Sequence, residues 1–307
     1  MQGEKVLVVG CTSQVALPVA KSLAADNEVT GIARFGNMRA RKALEEAGVN
    51  CQSVDLAVPD LSSLDQDFSY VLNFSVARTG SWVPDLDVNV VSIGFIMEHC
   101  RSARGFFHCS TAGVYQPQPD HLFTEDDPLG DNHRKWESTL PFMSTYSISK
   151  IAAEAAVRYG SRRWELPSVV ARLSVPYGDN GGWPAFHLEM IASDQAIEIH
   201  PSHPVRCNPI HEDDIVATIP KLLESGTSVP PTVVNWGGAE SSVEEWCTQL
   251  GSLTGHEPRF TETPDTVASL PVDTSRLTSL VGPVDLVRLS DGLEQMVRAR
   301  RPNLLTA

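Results

Sequence analysis

Positive charge is scarce in this chain: 24 lysines and arginines stand against 38 aspartates and glutamates, a net charge of -14. Nucleic acid and anionic membrane both demand a positive face, and no basic stripe is present, so neither is expected as a main partner. Cysteine is sparse too. Cys11, Cys51, Cys100, Cys109, Cys207 and Cys247 lack CxxC spacing and several sit inside apolar runs, which points to reduced, structural thiols and a cytosolic protein. No apolar run reaches membrane length, and the N-terminus leads straight into a strand pattern, so no targeting segment is expected. Repeats and low-complexity tracts are missing as well. What remains is an ordinary globular composition, 42% hydrophobic and 20% charged over 307 residues, enough for one large domain or two lobes.

The first 24 residues carry a recognisable pattern. Lys5-Val-Leu-Val-Val-Gly10 reads as a buried parallel strand, and Val15-Ala-Leu-Pro-Val-Ala-Lys-Ser-Leu-Ala24 has helical apolar spacing. A strand, a tight turn and a helix whose N-terminus offers free N–H groups suit a pyrophosphate, with Gly10, Thr12, Ser13, Gln14 and Val15 as the contacting residues. The glycine spacing Gly-x-x-Gly-x-x-Gly is only partly kept, because Ser13 and Ala16 take the second and third places. Ala is tolerated at the third. At the second, the Ser13 Cβ either holds the phosphates off, or its hydroxyl donates to one of them.

The second strand, Glu28-Val-Thr-Gly-Ile-Ala-Arg34, lacks the acidic tip that binds ribose hydroxyls in NAD sites. Arg34 stands there instead, with Arg39, Arg41 and Lys42 close behind, so a 2'-phosphate and hence NADP is favoured over NAD. The alternative is a solvated basic start to a helix over residues 39–47. A third strand at residues 50–56 ends on Asp55, and a fourth at 70–77 ends in small residues that leave room for a flat ligand. A helix is expected over 86–104, then a fifth strand that delivers Thr111.

Tyr146-Ser-Ile-Ser-Lys150 places a phenol and an ammonium one helical turn apart on one face. A fixed cation beside a phenol lowers its pKa from about 10, which makes it usable as an acid or base. Thr111 supplies a third polar group. Residues 116–143 read as an exposed excursion. The small side chains of Ile151-Ala-Ala-Glu-Ala-Ala-Val157 suit close helix packing, either within the chain or in a homodimer. A sixth strand lies at 168–174. After residue 182 the rhythm changes to helices near 184–194, 212–225 and 241–254 with short strands at 196–200 and 232–236, a smaller mixed lobe. His200, His203, Cys207 and His211 have metal-like spacing, but Pro201, Pro204 and Pro209 interrupt them, so no metal site is expected.

Taken together, these motifs resemble the extended short-chain dehydrogenase/reductases, the NAD(P)-dependent epimerase/dehydratase family. Besides the Gly-turn, they include Asp55-Leu56, Phe74-Ser-Val-Ala77, Asn89, Ser110-Thr-Ala-Gly-Val-Tyr115, the Tyr146/Lys150 pair, Ala171-Arg-Leu-Ser-Val-Pro-Tyr-Gly178, Pro209-Ile-His-Glu-Asp-Asp214, Val234-Asn-Trp-Gly-Gly238 and Val272-Asp-Thr-Ser-Arg276. The resemblance implies an α/β fold: a Rossmann-type doubly wound parallel sheet over 1–180, with 205–225 returning to it, and a smaller C-terminal α/β substrate lobe over 181–307. It implies Tyr146 as acid/base, Lys150 as the group that lowers its pKa and holds the nicotinamide ribose, and Thr111 on the reacting oxygen. It also implies cofactor contacts at Asp55, Leu56, Ser75 and Asn89.

The expected reaction is hydride transfer between nicotinamide C4 and a carbon bearing a hydroxyl or carbonyl of a small molecule. Dehydratases of the family follow the catalytic Thr with Asp-Glu, whereas Ala112-Gly113 follow Thr111 here. Arg206 is a candidate for a substrate pyrophosphate, although its spacing is one residue long. Tyr177, Trp183 and Trp82 are further pocket candidates that suit an apolar substrate equally well. An alcohol/carbonyl oxidoreductase is the first expectation, a nucleotide-sugar 4-epimerase the second, and a non-catalytic NAD(P)-binding sensor the third.

Overall fold

The structure, a computed structural model, describes residues 1–130 and 143–305. The part of the predicted excursion at 131–142 lies outside the described residues.

Alternation decides the architecture. In the first strand, β1 (Lys5–Val9), Val6 and Val8 face one core cluster while Leu7 and Val9 face another. A strand buried on both faces must be covered by helices on both sides. Those elements follow in order: α1 (Ala16–Leu23), β2 (Glu28–Ala33), α2 (Met38–Glu46), β3 (Asn50–Ser53), β4 (Tyr70–Asn73), α3 (Trp82–Leu86), α4 (Ser92–His99), β5 (Gly105–Thr111), α5 (Tyr146–Arg163) and β6 (Ser168–Leu173). β7 (Val175–Gly178), β8 (Gly181–Gly182), α6 (Trp183–Ala192), β9 (Ala196–Ile199), β10 (Arg206–Cys207), β11 (Pro209–His211), α7 (Glu212–Glu224) and β12 (Thr232–Trp236) come next. The chain ends with β13 (Ser241–Ser242), α8 (Val243–Thr254), β14 (Arg259–Glu262), α9 (Ser275–Val281) and α10 (Leu289–Arg300).

Seven parallel strands form the central sheet in the order β12-β6-β5-β4-β1-β2-β3. Strand order reverses between β1 and β4, and such a switch point opens a crevice at the strands' carboxyl ends. α1 and α7 cover one face through Val19, Ile215, Ile219 and Leu222; α4 and α5 cover the other through Ile93, Ile96, Ala153 and Val157. Each fully buried aliphatic side chain contributes about 1.5–3 kcal/mol. The small residues of α5 thus pack against α4 of the same chain.

The second lobe has its own core, in which α6, α8 and α10 close over Leu188, Trp246, Leu250, Leu293 and Met296. β12, read from sequence as part of this lobe, instead completes the central sheet beside β6, because its Val234 and Trp236 belong to the sheet's own core. The helix expected over 86–104 is present and continuous, α3 running through a π-helical stretch at Asp87–Val91 into α4; it starts earlier, at Trp82, and ends at His99. β3 stops at Ser53 and β4 at Asn73, short of the predicted ends. No described helix is long and apolar enough to cross a membrane.

Candidate active site

At the switch point lies a cavity of about 660 Å³, within the ~300–1,000 Å³ usual for small-molecule sites. The turn after β1 forms its floor. Gly10 has φ +74°, and a Cβ there would stand 2.9 Å from the Ser75 backbone, so only glycine fits. Ser13 does not obstruct this turn. Its Oγ accepts the Ala16 N–H at 3.2 Å, which takes up one open donor of the α1 terminus and leaves the hydroxyl hydrogen to turn toward a ligand. Gln14 spans the two lobes: its Nε2 donates to Pro176 O at 3.3 Å, and its backbone carbonyl accepts from Asn180 Nδ2 at 2.7 Å. Ser13, Gln14 and Val15 all line the cavity; Thr12 is partly buried in the same turn and does not.

β5 delivers Thr111 at its last position, and α5 begins on Tyr146, so the parallel sheet and the helix start aim both at one point. Thr111, Tyr146 and Lys150 share the cavity. Burial pushes the Tyr146 phenol above its ordinary value, opposed by a hydrogen bond from Thr111 and by the charge of Arg78. Lys150 is held elsewhere. Its Nζ donates to the Cys109 carbonyl at 2.6 Å, and burial lowers its pKa. Arg78 is thus a second cation close to the phenol, one that sequence spacing did not indicate. Arg78 has its guanidinium carbon 6.0 Å from the centroid of the Tyr146 ring.

Below Lys150 runs a buried polar layer. His108 Nδ1 stands 3.2 Å from Asn73 Nδ2, and the ring is held neutral by burial first and by Lys150 second. One turn beyond Lys150, Glu154 accepts from Ser110 Oγ at 2.6 Å, which ties the residue before Thr111 to α5. Asn89, read as a cofactor contact, has its amide spent on other groups: Oδ1 accepts from Ala77 N at 2.6 Å, and Nδ2 donates to Ala77 O and Ser149 Oγ. It braces the loop after β4 against α5. Ser75 is likewise turned to Asn73, with Oγ donating at 2.7 Å.

Several predicted residues lie outside the cavity lining. Arg34 is exposed at the tip of β2, and Asp55 and Leu56 follow β3, where Asp55 Oδ1 accepts from Ala57 N at 3.0 Å. Tyr177 is a correction: its ring packs in the second core at 5.2 Å from His211, beside Gly292, so it cannot reach a substrate. Arg206 is another, because its Nη1 pairs with Glu240 Oε1 at 3.0 Å and only its neighbour Cys207 reaches the cavity. Trp82 is half exposed at the start of α3 and is not part of the wall.

Trp183 does line the cavity, stacked on His187, which in turn accepts from Trp246 Nε1 at 2.9 Å. Sequence reading missed Val76, Met143, Phe186, Val267 and Leu270, which share that wall. It also missed Arg78, whose only sequence signal is that it follows the small-residue strand end at Ala77.

Comparisons with known proteins agree with this geometry at the level of fold. The UDP-glucuronic acid 4-epimerase of Bacillus cereus, solved with UDP-glucuronic acid and NAD, is 20% identical, covers 96% of this chain and 98% of its own, and gives a TM-score of 0.78. The UDP-N-acetylglucosamine 4-epimerase of Methanobrevibacter ruminantium M1 is 16% identical, with coverage of 97% and 98% and a TM-score of 0.81. WbmH of Bordetella bronchiseptica, in complex with NAD+, is 18% identical, with coverage of 96% and 98% and a TM-score of 0.77. No curated protein matches the chain. Residues 6–237 match the NAD dependent epimerase/dehydratase family, and since they make up most of the chain, the protein belongs to that family.

Proposed function

We propose that the chain is an NAD(P)-dependent enzyme that interconverts an alcohol and a ketone at one carbon of a small molecule, in the manner of a nucleotide-sugar 4-epimerase. The observation that carries the reading is the convergence of Thr111, Tyr146 and Lys150 on one cavity at the sheet's switch point. The residues there fit a dinucleotide. Gly10 keeps the turn tight against β4, and the α1 N-terminus with the Ser13 hydroxyl faces the place where phosphates would sit. Lys150 would hold the nicotinamide ribose, and the bound nicotinamide would accept or return a hydride.

The other tasks fall to the chain. Thr111 donates to the reacting oxygen and fixes its distance from Tyr146. Tyr146 takes the hydroxyl proton when the alcohol is oxidised and gives it back when the ketone is reduced. Burial keeps the phenol protonated at neutral pH, which favours its acid role. The epimerase form uses these groups twice on one substrate, and the two UDP-sugar 4-epimerases of similar fold support it.

A second reading, an oxidoreductase that exchanges its cofactor, has its own support. Arg34 and Arg39 make no ion pair among the described residues, while Arg41 and Lys42 are paired with Glu45 and Glu46. These two cations, one at the tip of β2 and one in the first turn of α2, suit a 2'-phosphate and thus NADP. Val91, Phe95 and Tyr159 leave apolar surface on the outer side of α4 and α5, which suits pairing of two copies.

Denaturing the purified protein, identifying any nicotinamide released and titrating the emptied protein with NADH and NADPH tests both readings. Retained NAD supports the epimerase. An empty site that prefers NADPH supports the oxidoreductase. Binding of neither overturns the proposal.

A further inference from the structure

Arg78 is the cation of this cavity that the hydride-transfer chemistry leaves without a task. Its side chain lines the cavity beside the Tyr146 ring and has no hydrogen-bond or ion-pair partner among the described residues. The other lining cation, Lys150, is buried and bound to the Cys109 carbonyl.

The loop that carries Arg78 is fixed from below. Asp85 is fully buried and accepts from Thr79 N at 2.9 Å, Thr79 Oγ1 at 2.8 Å and Gly80 N at 3.2 Å. The same carboxylate accepts from Thr145 Oγ1, the residue immediately before Tyr146. Ser144 adds a bond from its Oγ to Gly80 O at 3.4 Å. One buried acid therefore sets the position of the guanidinium relative to the phenol. Such preorganisation lowers the cost of binding when a ligand arrives. Elsewhere the cavity has an apolar lining, to which Met143, Trp183, Phe186, Val267 and Leu270 contribute.

We propose that Arg78 is the substrate-recognition residue of this cavity, gripping an anionic oxygen group, carboxylate or phosphate, next to the carbon that Tyr146 serves, while the rest of the substrate lies on the apolar wall. The inference rests on the function proposed above. A guanidinium presents a rigid fork that matches either group bidentately, and it keeps its charge at any working pH. Asp85 is a positioning residue in this scheme.

The test titrates cofactor-loaded wild type, Arg78→Met and Arg78→Lys with two matched pairs: 4-phenylbutyrate and its neutral amide, and UDP-glucose and uridine. Arg78 is exposed and has no hydrogen-bond or ion-pair partner among the described residues, so the melting temperature should not move. In wild type at least one anion should bind roughly ten- to hundredfold tighter than its neutral counterpart. That contrast should vanish in Arg78→Met and return in part in Arg78→Lys. If the acid and amide carry it, the group is a carboxylate; if the uridine pair carries it, the group is a diphosphate.

The proposal is overturned if neither pair shows a contrast in wild type, or if the contrast survives in Arg78→Met. It is also overturned if the substitution weakens NADH or NADPH as much as the anion, which would place Arg78 on the cofactor. A wild type that binds neither dinucleotide overturns the proposed function instead. The anion contrast, read on the same cofactor-free sample, then decides the role of Arg78 by itself.

Discussion

Arg172 and Glu154 form a two-pronged ion pair beneath the site, Nε to Oε1 at 3.1 Å and Nη2 to Oε2 at 2.9 Å, with both side chains 2% exposed. Glu154→Gln leaves the guanidinium without its countercharge in the core, where breaking such a pair costs about 3–5 kcal/mol. Chemical denaturation should show a loss of that size, whereas Glu154→Leu combined with Arg172→Met should recover much of it. Equal losses in the two variants would mean that the packing, not the charge, is what matters.

Tyr146→Phe removes the acid/base and keeps the ring. Turnover should fall roughly 100- to 10,000-fold while nicotinamide affinity changes little. Because burial holds the phenol above its ordinary value, oxidation, which needs the phenolate, should keep accelerating with pH up to and beyond pH 10, the ordinary value of a free phenol. Reduction needs the protonated form and should stay level across the neutral range. An oxidation rate that levels off below pH 8 contradicts the assignment.

Arg34→Ala should weaken NADPH by at least about tenfold, the value of one charge-assisted contact, and leave NADH within a factor of two. Parallel losses for both cofactors, measured by fluorescence titration, would remove the 2'-phosphate reading.

His187 is buried and accepts from Trp246, and its pKa is lowered to about 4 by burial. The sign follows from linkage. Above the unfolded value near 6.5 the ring is neutral in both states and contributes no pH dependence; as pH falls from there toward 4, the unfolded chain takes up a proton that the folded chain refuses. Stability should therefore drop on acidification by on the order of 3 kcal/mol over that window. His187→Phe should lose stability at neutral pH, since the Trp246 N–H is then unpaired at a cost of about 1–3 kcal/mol. Its stability should in turn be flatter between pH 6.5 and 4, and an unchanged slope would clear His187 of the effect.

What could be read from the sequence was local and periodic. The turn at Gly10, the paired apolar faces of β1 and the Tyr146/Lys150 spacing each sit within a dozen residues, and all of them place correctly in the fold. Long-range pairing was not readable in that way. Nothing in Thr232–Trp236 distinguishes the edge of a seven-stranded sheet from a strand of the second lobe until β6 is beside it.

Side-chain direction in short strands was equally hidden. Tyr177 points into a core and Arg206 toward Glu240 because of how β7 and β10 pair, and residue type alone does not encode that. The destination of the Lys150 ammonium depended on the Cys109 carbonyl, a group every residue has. Asp85 offered no motif at all.

The bonds that Gln14 makes to Pro176 and Asn180 have a thermodynamic corollary. One residue belongs at once to the floor of the cofactor turn and to the hairpin that presents Trp183. Any ligand that tightens or loosens these two bonds changes the affinity of its counterpart across the cleft, and reciprocity demands the same factor in both directions. The coupling between the two ligands, equal in both directions, runs in that sense through a single glutamine.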